Sequence, residues 1–123
     1  MVTTPMPLVL NSASGSLALT QDENGVGGWC QVHLATSGVR RFLGAETLGS
    51  IAKKLLAFLA NRSSGPRWIF SLAELHTSVY GAHLAGESVL RFQDATGSIF
   101  AELVLKPSEA EAWIPLLSCA TRE

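Results

Sequence analysis

Residues 46–61 read ETLGSIAKKLLAFLAN. Leu48, Ile51, Ala52, Leu55 and Leu59 recur at intervals of three and four, which places them on one face of an α-helix. Leu56 and Phe58 widen that apolar stripe, while Lys53, Lys54 and Asn61 fall largely outside it. The small residues, glycine and proline of RSSGP (62–66) end the helix. Before and after this segment the apolar residues alternate instead, with the period of two that marks strands. One helix therefore interrupts a chain of strands, and the fold follows from what lies on either side.

On the N-terminal side, Leu8/Leu10 and Leu17/Leu19 predict two short strands around the turn-forming NSASG. QDENGVGG (21–28) reads as a loop whose Asn24-Gly25 pair suits a tight turn. GWCQVHLA (28–35) predicts a third strand running to about Thr36, and Val39–Leu43 a fourth. On the C-terminal side, RWIFSL and TSVYGAHLA predict two more strands. VLRFQDATGSIFAELVL predicts a hairpin whose Asp94-Ala95-Thr96-Gly97 fits a type I turn closed by a glycine bulge. KPSEAEAW starts a last helix with Pro107 and a Ser108-x-x-Glu111 capping box, with Pro115 kinking or ending it. Ala112, Leu116 and Trp113 are its expected buried face. The short links make the strands antiparallel. The expectation is one α+β domain over residues 1–123. Its order is four strands, helix, four strands, helix. The sheet is expected to be mostly antiparallel and strongly curved, packed on one main amphipathic helix, with a short C-terminal helix. The two halves share a plan without a visible residue-level repeat.

Only 15% of the 123 residues are charged, against roughly 25% in typical soluble domains. Eighteen are leucine, and the mean hydropathy is +0.27. That surplus of apolar side chains has three possible uses: a subunit interface, a ligand cavity or a lipid surface. No apolar run approaches the ~20 residues of a membrane helix. MVTTPMP has no basic segment of a signal peptide, so the expected location is cytoplasmic, with no membrane association. The net charge of −1 is unevenly spread: residues 40–67 hold six cations against Glu46 alone. The simplest reading of that basic middle is a solvated helix face plus loop arginines. Nucleic acid, to which Arg40, Arg41, Lys53, Lys54 and Arg67 would contribute, is an unlikely partner because the rest of the chain is acidic.

The motifs of chemistry are sparse. Cys30-x-x-His33 has a suggestive spacing, but on a strand the two side chains point to opposite faces and cannot share a metal or form a nucleophilic pair. Two cysteines and three histidines without paired spacing do not make structural zinc. Ser50-x-x-Lys53 lacks the companion motifs of serine acyl-enzymes. Glu74 beside His76 is the one acid–imidazole neighbour pair, in a loop. No cofactor, metal or catalytic residue is expected, and the balance leans against an enzyme.

Trp29, Gln31 and His33 share the strand face opposite Cys30 and form an aromatic-polar strip suited to recognition. The leading expectation is a non-enzymatic protein-interaction domain, a homodimer. The alternative is a small-molecule-binding domain, or an enzyme built on one, with a pocket between curved sheet and helix. Trp29, His33, Phe42, Trp68, Tyr80 and His83 are its candidate ligand-binding residues, with Phe70 and Phe92 completing the walls.

Overall fold

The computed structural model describes residues 7–21, 28–62, 65–72 and 74–121. The Asn24-Gly25 turn and most of its loop lie outside them. Strands β1 (Leu8–Ser12), β2 (Gly15–Gln21), β3 (Trp29–Thr36) and β4 (Val39–Thr47) lead into α1 (Leu48–Ala60). Strands β5 (Arg67–Leu72), β6 (Thr77–Leu84), β7 (Glu87–Gln93) and β8 (Ile99–Leu105) lead into α2 (Pro107–Ala120). The α+β class and element order are those read from the sequence. The eight strands divide into two antiparallel sheets, β1-β2-β3-β4 and β5-β6-β7-β8, where one continuous sheet was expected. The C-terminal helix has 14 residues against 13 in α1, so it is a full partner rather than a short appendage.

The helices join the two sheets into one body. α1 packs on β4 and on β5 of the other sheet, while α2 packs on β8, β7 and on β1 of the other sheet. The helices also pack on each other, and β1 lies by β8 as β4 lies by β5. The architecture is thus two β4α halves, each packing its helix on its own sheet and on the first strand of the other. The core is a single cluster. From the first sheet it takes residues such as Leu10, Leu19, Val32 and Leu43. From the second it takes Phe70, Val79, Phe92 and Leu103, with the buried stripes of both helices between. Fourteen of the 18 leucines are buried in it, which accounts for most of the apolar surplus.

Each helix is fastened to the opposite sheet by an aromatic residue. The Phe58 ring of α1 stacks on His83 of β6, centroids 4.3 Å apart and planes 15° from parallel. It lies over Gly81, where a Cβ would sit 2.6 Å from Phe58 Cζ and from Ile69 Cδ1. His83 Nε2 bonds the Phe58 carbonyl at 2.8 Å, and Nδ1 bonds the Ser88 hydroxyl at 3.0 Å. A carbonyl can only accept, so Nε2 carries the proton, and in the neutral ring Nδ1 accepts from Ser88. In α2, buried Trp113 donates its indole N–H to the Asn11 carbonyl of β1 at 2.8 Å. At the same end, Ser14 Oγ accepts from the Val104 N–H at 2.8 Å and donates to the Val104 carbonyl at 3.1 Å. The β1–β2 hairpin thereby satisfies part of the backbone edge of β8.

Local chemistry explains where elements begin and end. β4 runs through to Thr47, four residues past the expected Leu43, because Gly44–Thr47 stay in register with β3. The first turn of α1 is held by the Leu48 N–H on the Gly28 carbonyl, 2.9 Å. The capping acid of α2 is Glu109 rather than Glu111, because the helix starts at Pro107 and its N-cap is Lys106, whose N–H donates to Glu109 Oε1 at 2.9 Å. Its buried face is accordingly Ala110, Trp113, Leu117 and Ala120; Ala112 and Leu116 are exposed. Pro115 lies on the solvent side and the helix continues through it to Ala120. The Asp94–Gly97 turn forms as read, with the Gly97 N–H on the Asp94 carbonyl at 3.0 Å and Gly97 at φ +85°. The Thr96 hydroxyl, donating to Asp94 Oδ1, holds that carboxyl below the usual range.

Gly81→Ala forces a methyl into the space of Phe58 and Ile69. It is expected to cost about 1–3 kcal/mol, the usual range for overpacking, read as a lower urea midpoint at unchanged m-value. An unchanged midpoint would show that Phe58 is free to move aside.

Candidate binding surfaces

With the inner sheet faces and the buried stripes of both helices committed to the core, the outer sheet faces present side chains that remain for recognition. Register defines those faces, because directly paired residues point the same way. On the first sheet the outward rows are Asn11–Ser16–Ala35–Arg40 and Val9–Ala18–His33–Phe42, followed by Thr20–Gln31–Ala45 and Trp29–Thr47. None of these is a carboxylate. Small side chains in the middle of the first two rows leave a shallow hollow of about 260 Å³ edged by Val9, His33 and Arg40. The strand face read from the sequence forms as expected: Trp29, Gln31 and His33 point outward while Cys30 is buried, its thiol 3.3 Å from the Glu46 carbonyl. His33 and Phe42 are in ring contact, centroids 5.4 Å apart. Trp29 stands on the same face two rows away and is 38% exposed.

On the second sheet the outward rows are Trp68–Tyr80–Arg91–Glu102 and Ser71–Ser78–Gln93–Ile99. A β-bulge between Trp68 and Phe70 turns Trp68 outward while Phe70 enters the core. Trp68 is half exposed, and its orientation is fixed. The indole N–H donates to Ser71 Oγ at 2.9 Å, and Ser71 is hydrogen-bonded to Ser78 at 3.1 Å. Lys54 reaches over from α1, its Nζ 5.4 Å from the Trp68 ring centroid. At the other end Arg91 pairs with Glu102 at 2.9 Å. A shallow groove of about 190 Å³ runs between α1 and β5, lined by Lys54, Arg67 and Trp68 among others.

The six candidate ligand-binding residues therefore separate. Trp29, His33 and Phe42 share the outer face of the first sheet. Trp68 and Tyr80 are neighbours on the outer face of the second. His83 faces inward, with Nε2 bonded to α1 and Nδ1 to Ser88 of β7. Phe70 and Phe92 are fully buried among core side chains, and Tyr80 and His83 point to opposite sides of β6. Lys54 and Arg91 complete the Trp68–Tyr80 row, and sequence reasoning did not join them to it. Alternation marks Arg91 as outward and the helical stripe leaves Lys54 on the solvent side, but only the register of three strands and the docking of α1 bring them together. Among the described residues no three His, Cys, Asp or Glu side chains gather as a metal site would require, and no helix is long and apolar enough to cross a membrane.

No protein-family model, curated protein or solved structure matches this chain.

Partial burial, and secondarily the positive charge of Arg40, lower the His33 pKa below the ordinary imidazole value. The folded state thus binds this proton less readily than the unfolded chain. Stability is lost as pH falls through the window just below the ordinary value. An NMR titration should place His33 below a denatured control, and Arg40→Ala should raise its midpoint toward that control. A midpoint unmoved by Arg40→Ala would leave burial as the sole cause.

Proposed function

We propose that this domain is a non-enzymatic protein-binding module that acts through the outer faces of its sheets. The observation that carries the reading is the row Trp68–Tyr80–Arg91, aligned by register across β5, β6 and β7. Tryptophan, tyrosine and arginine are the side chains that most often dominate binding energy at protein interfaces. Here the indole is already oriented by Ser71, so little rotamer freedom remains to be lost on association. A homodimer belongs to this reading, formed through the first sheet. Among the described residues its outer face has no carboxylate; it exposes Trp29 and, beside a shallow hollow, Val9. A cytoplasmic location is part of the same proposal.

A second reading, single-stranded nucleic acid, is favoured by Lys54 over Trp68 and by Arg67 beside the same groove, since aromatic platforms flanked by cations hold bases and phosphates. It ranks second because Arg91 is already neutralised by Glu102 and few cations remain for a phosphate chain.

Affinity capture with wild-type protein and a Trp68→Ser/Tyr80→Ser variant, each with and without nuclease, separates the two. Proteins held by the wild type, lost with the variant and indifferent to nuclease are the expected outcome. Nuclease-sensitive capture would transfer the assignment to the second reading. Identical capture by both proteins would contradict any role for this face. Native mass spectrometry should give a dimer that Ala18→Glu returns to monomer; a monomeric wild type would remove the homodimer.

A further inference from the structure

We infer that the hollow on the outer face of the first sheet binds a small carboxylate with a compact apolar body. This site lies apart from the row on the second sheet and does not rest on the protein-binding reading. Two alanines, Ala18 and Ala35, line its middle, and register fixes what surrounds each of them. Ala35 of β3 is paired with Ser16 of β2 on one side and with Arg40 of β4 on the other, and His33 stands two residues along its own strand on the same face. Directly paired residues have Cβ atoms about 5 Å apart, and residues two apart on one strand are about 7 Å apart. Three hydrogen-bonding side chains thus ring one small residue. Ala18 of β2 is paired with His33 and, on its other side, with Val9 of β1, which supplies an apolar wall. Pro7 and Thr20 lie beyond it. The hollow is therefore polar around Ala35 and mainly apolar around Ala18.

The groups around Ala35 are uncommitted. Among the described residues the side chains of Ser16, His33 and Arg40 take part in no hydrogen bond or ion pair within the protein. Among the described residues Arg40 is also the one charged group in the outward rows, so no carboxylate there competes for it. A guanidinium presents paired N–H groups in the geometry of a carboxylate, and one fixed positive charge matches a head of single charge. His33 leans on Phe42, ring centroids 5.4 Å apart, and either nitrogen of the neutral imidazole can carry the donating proton. Burial and then the Arg40 charge lower the His33 pKa; a bound carboxylate offsets the second cause, so the imidazole takes up a proton more readily in the complex. Size limits the rest of the ligand. A volume of about 260 Å³ is the room of about nine water molecules at roughly 30 Å³ each, which holds one ring or one short branched chain beside the carboxylate. The carboxylate would stand over Ala35, between Arg40, His33 and Ser16, with the apolar body over Ala18 against Val9.

The test is an NMR titration of the whole chain with four probes: benzoate, benzamide, benzamidine and inorganic phosphate. Benzoate is expected to shift the amides of Ser16, Ala18, His33 and Arg40, with a dissociation constant on the order of 1 mM because the hollow is shallow. It should also raise the His33 titration midpoint. Benzamide keeps the shape without the charge, benzamidine reverses the charge and phosphate lacks the ring; each should bind at least about fivefold more weakly. Arg40→Gln should weaken benzoate about fivefold, the scale of one exposed ion pair, while Arg41→Gln on the opposite face of β4 leaves it unchanged. Ala18→Leu fills the apolar end and should abolish binding. Any of the other three probes binding as well as benzoate would overturn the inference. So would insensitivity to Arg40→Gln, unchanged binding by Ala18→Leu, or no response of the first sheet to benzoate. Native mass spectrometry of the same samples keeps this apart from the homodimer. A monomeric wild type that binds benzoate removes the homodimer and supports the site. A dimer that persists at saturating benzoate, with His33 responding, supports the site and places self-association elsewhere.

Discussion

The ring of Phe58 occupies the space that a side chain at residue 81 would need, and His83 closes over it from the same strand. Two things follow. α1, which belongs by sequence to the first sheet, is bound to the second. α2 is in turn bound to the first, with Trp113 reaching back to the Asn11 carbonyl. Each helix packs on both sheets, so each half's apolar surface is covered in part by the other. Two separate domains of about sixty residues would be marginal, and the shared helices make one core of them.

That sharing also decides where recognition can happen. The volume between sheets and helices is filled by leucines and phenylalanines that a ligand pocket would have had to displace. The outer faces lie away from this core, and they differ from each other. The outward rows of the first sheet hold no carboxylate among the described residues, are small in their middle and are edged by His33, Phe42 and Arg40. The second is crossed by a row of aromatic and charged side chains. Two halves of the same element order thus present different outer faces.

How much of this could be read from the chain depends on the range of the interaction involved. The stripe of α1, the opposite faces of Cys30 and His33 and the Asp94–Gly97 turn are all decided within a few residues, and they form as read. On α2 Trp113 packs down as expected, but its companions on the buried face are Ala110 and Leu117 rather than Ala112 and Leu116. Both pairs have helical spacing, and the acceptor that Trp113 finds 102 positions away fixes which one packs down. The division into two sheets was equally invisible, since nothing local states whether a strand after a helix rejoins the sheet before it. On the outside, aromatic and polar residues could be assigned to a face by alternation. Lining up Lys54, Trp68, Tyr80 and Arg91 required the register of three strands, the bulge after Trp68 and the docking of α1. Local rules determined which way each side chain points, and long-range packing determined its neighbours.

The central claim is that the two halves are interlocked through their helices. Hydrogen–deuterium exchange on a Phe58→Leu variant tests it most directly, because the substitution loosens one fastening and leaves the other untouched. If the halves are interlocked, amides of α2 and β1 lose protection together with those of α1, β5 and β6, since the core opens as one unit. Loss of protection confined to α1, β5 and β6, with α2 and the first sheet as slow as in the wild type, would mean that the halves are independent and the account of the fold is wrong.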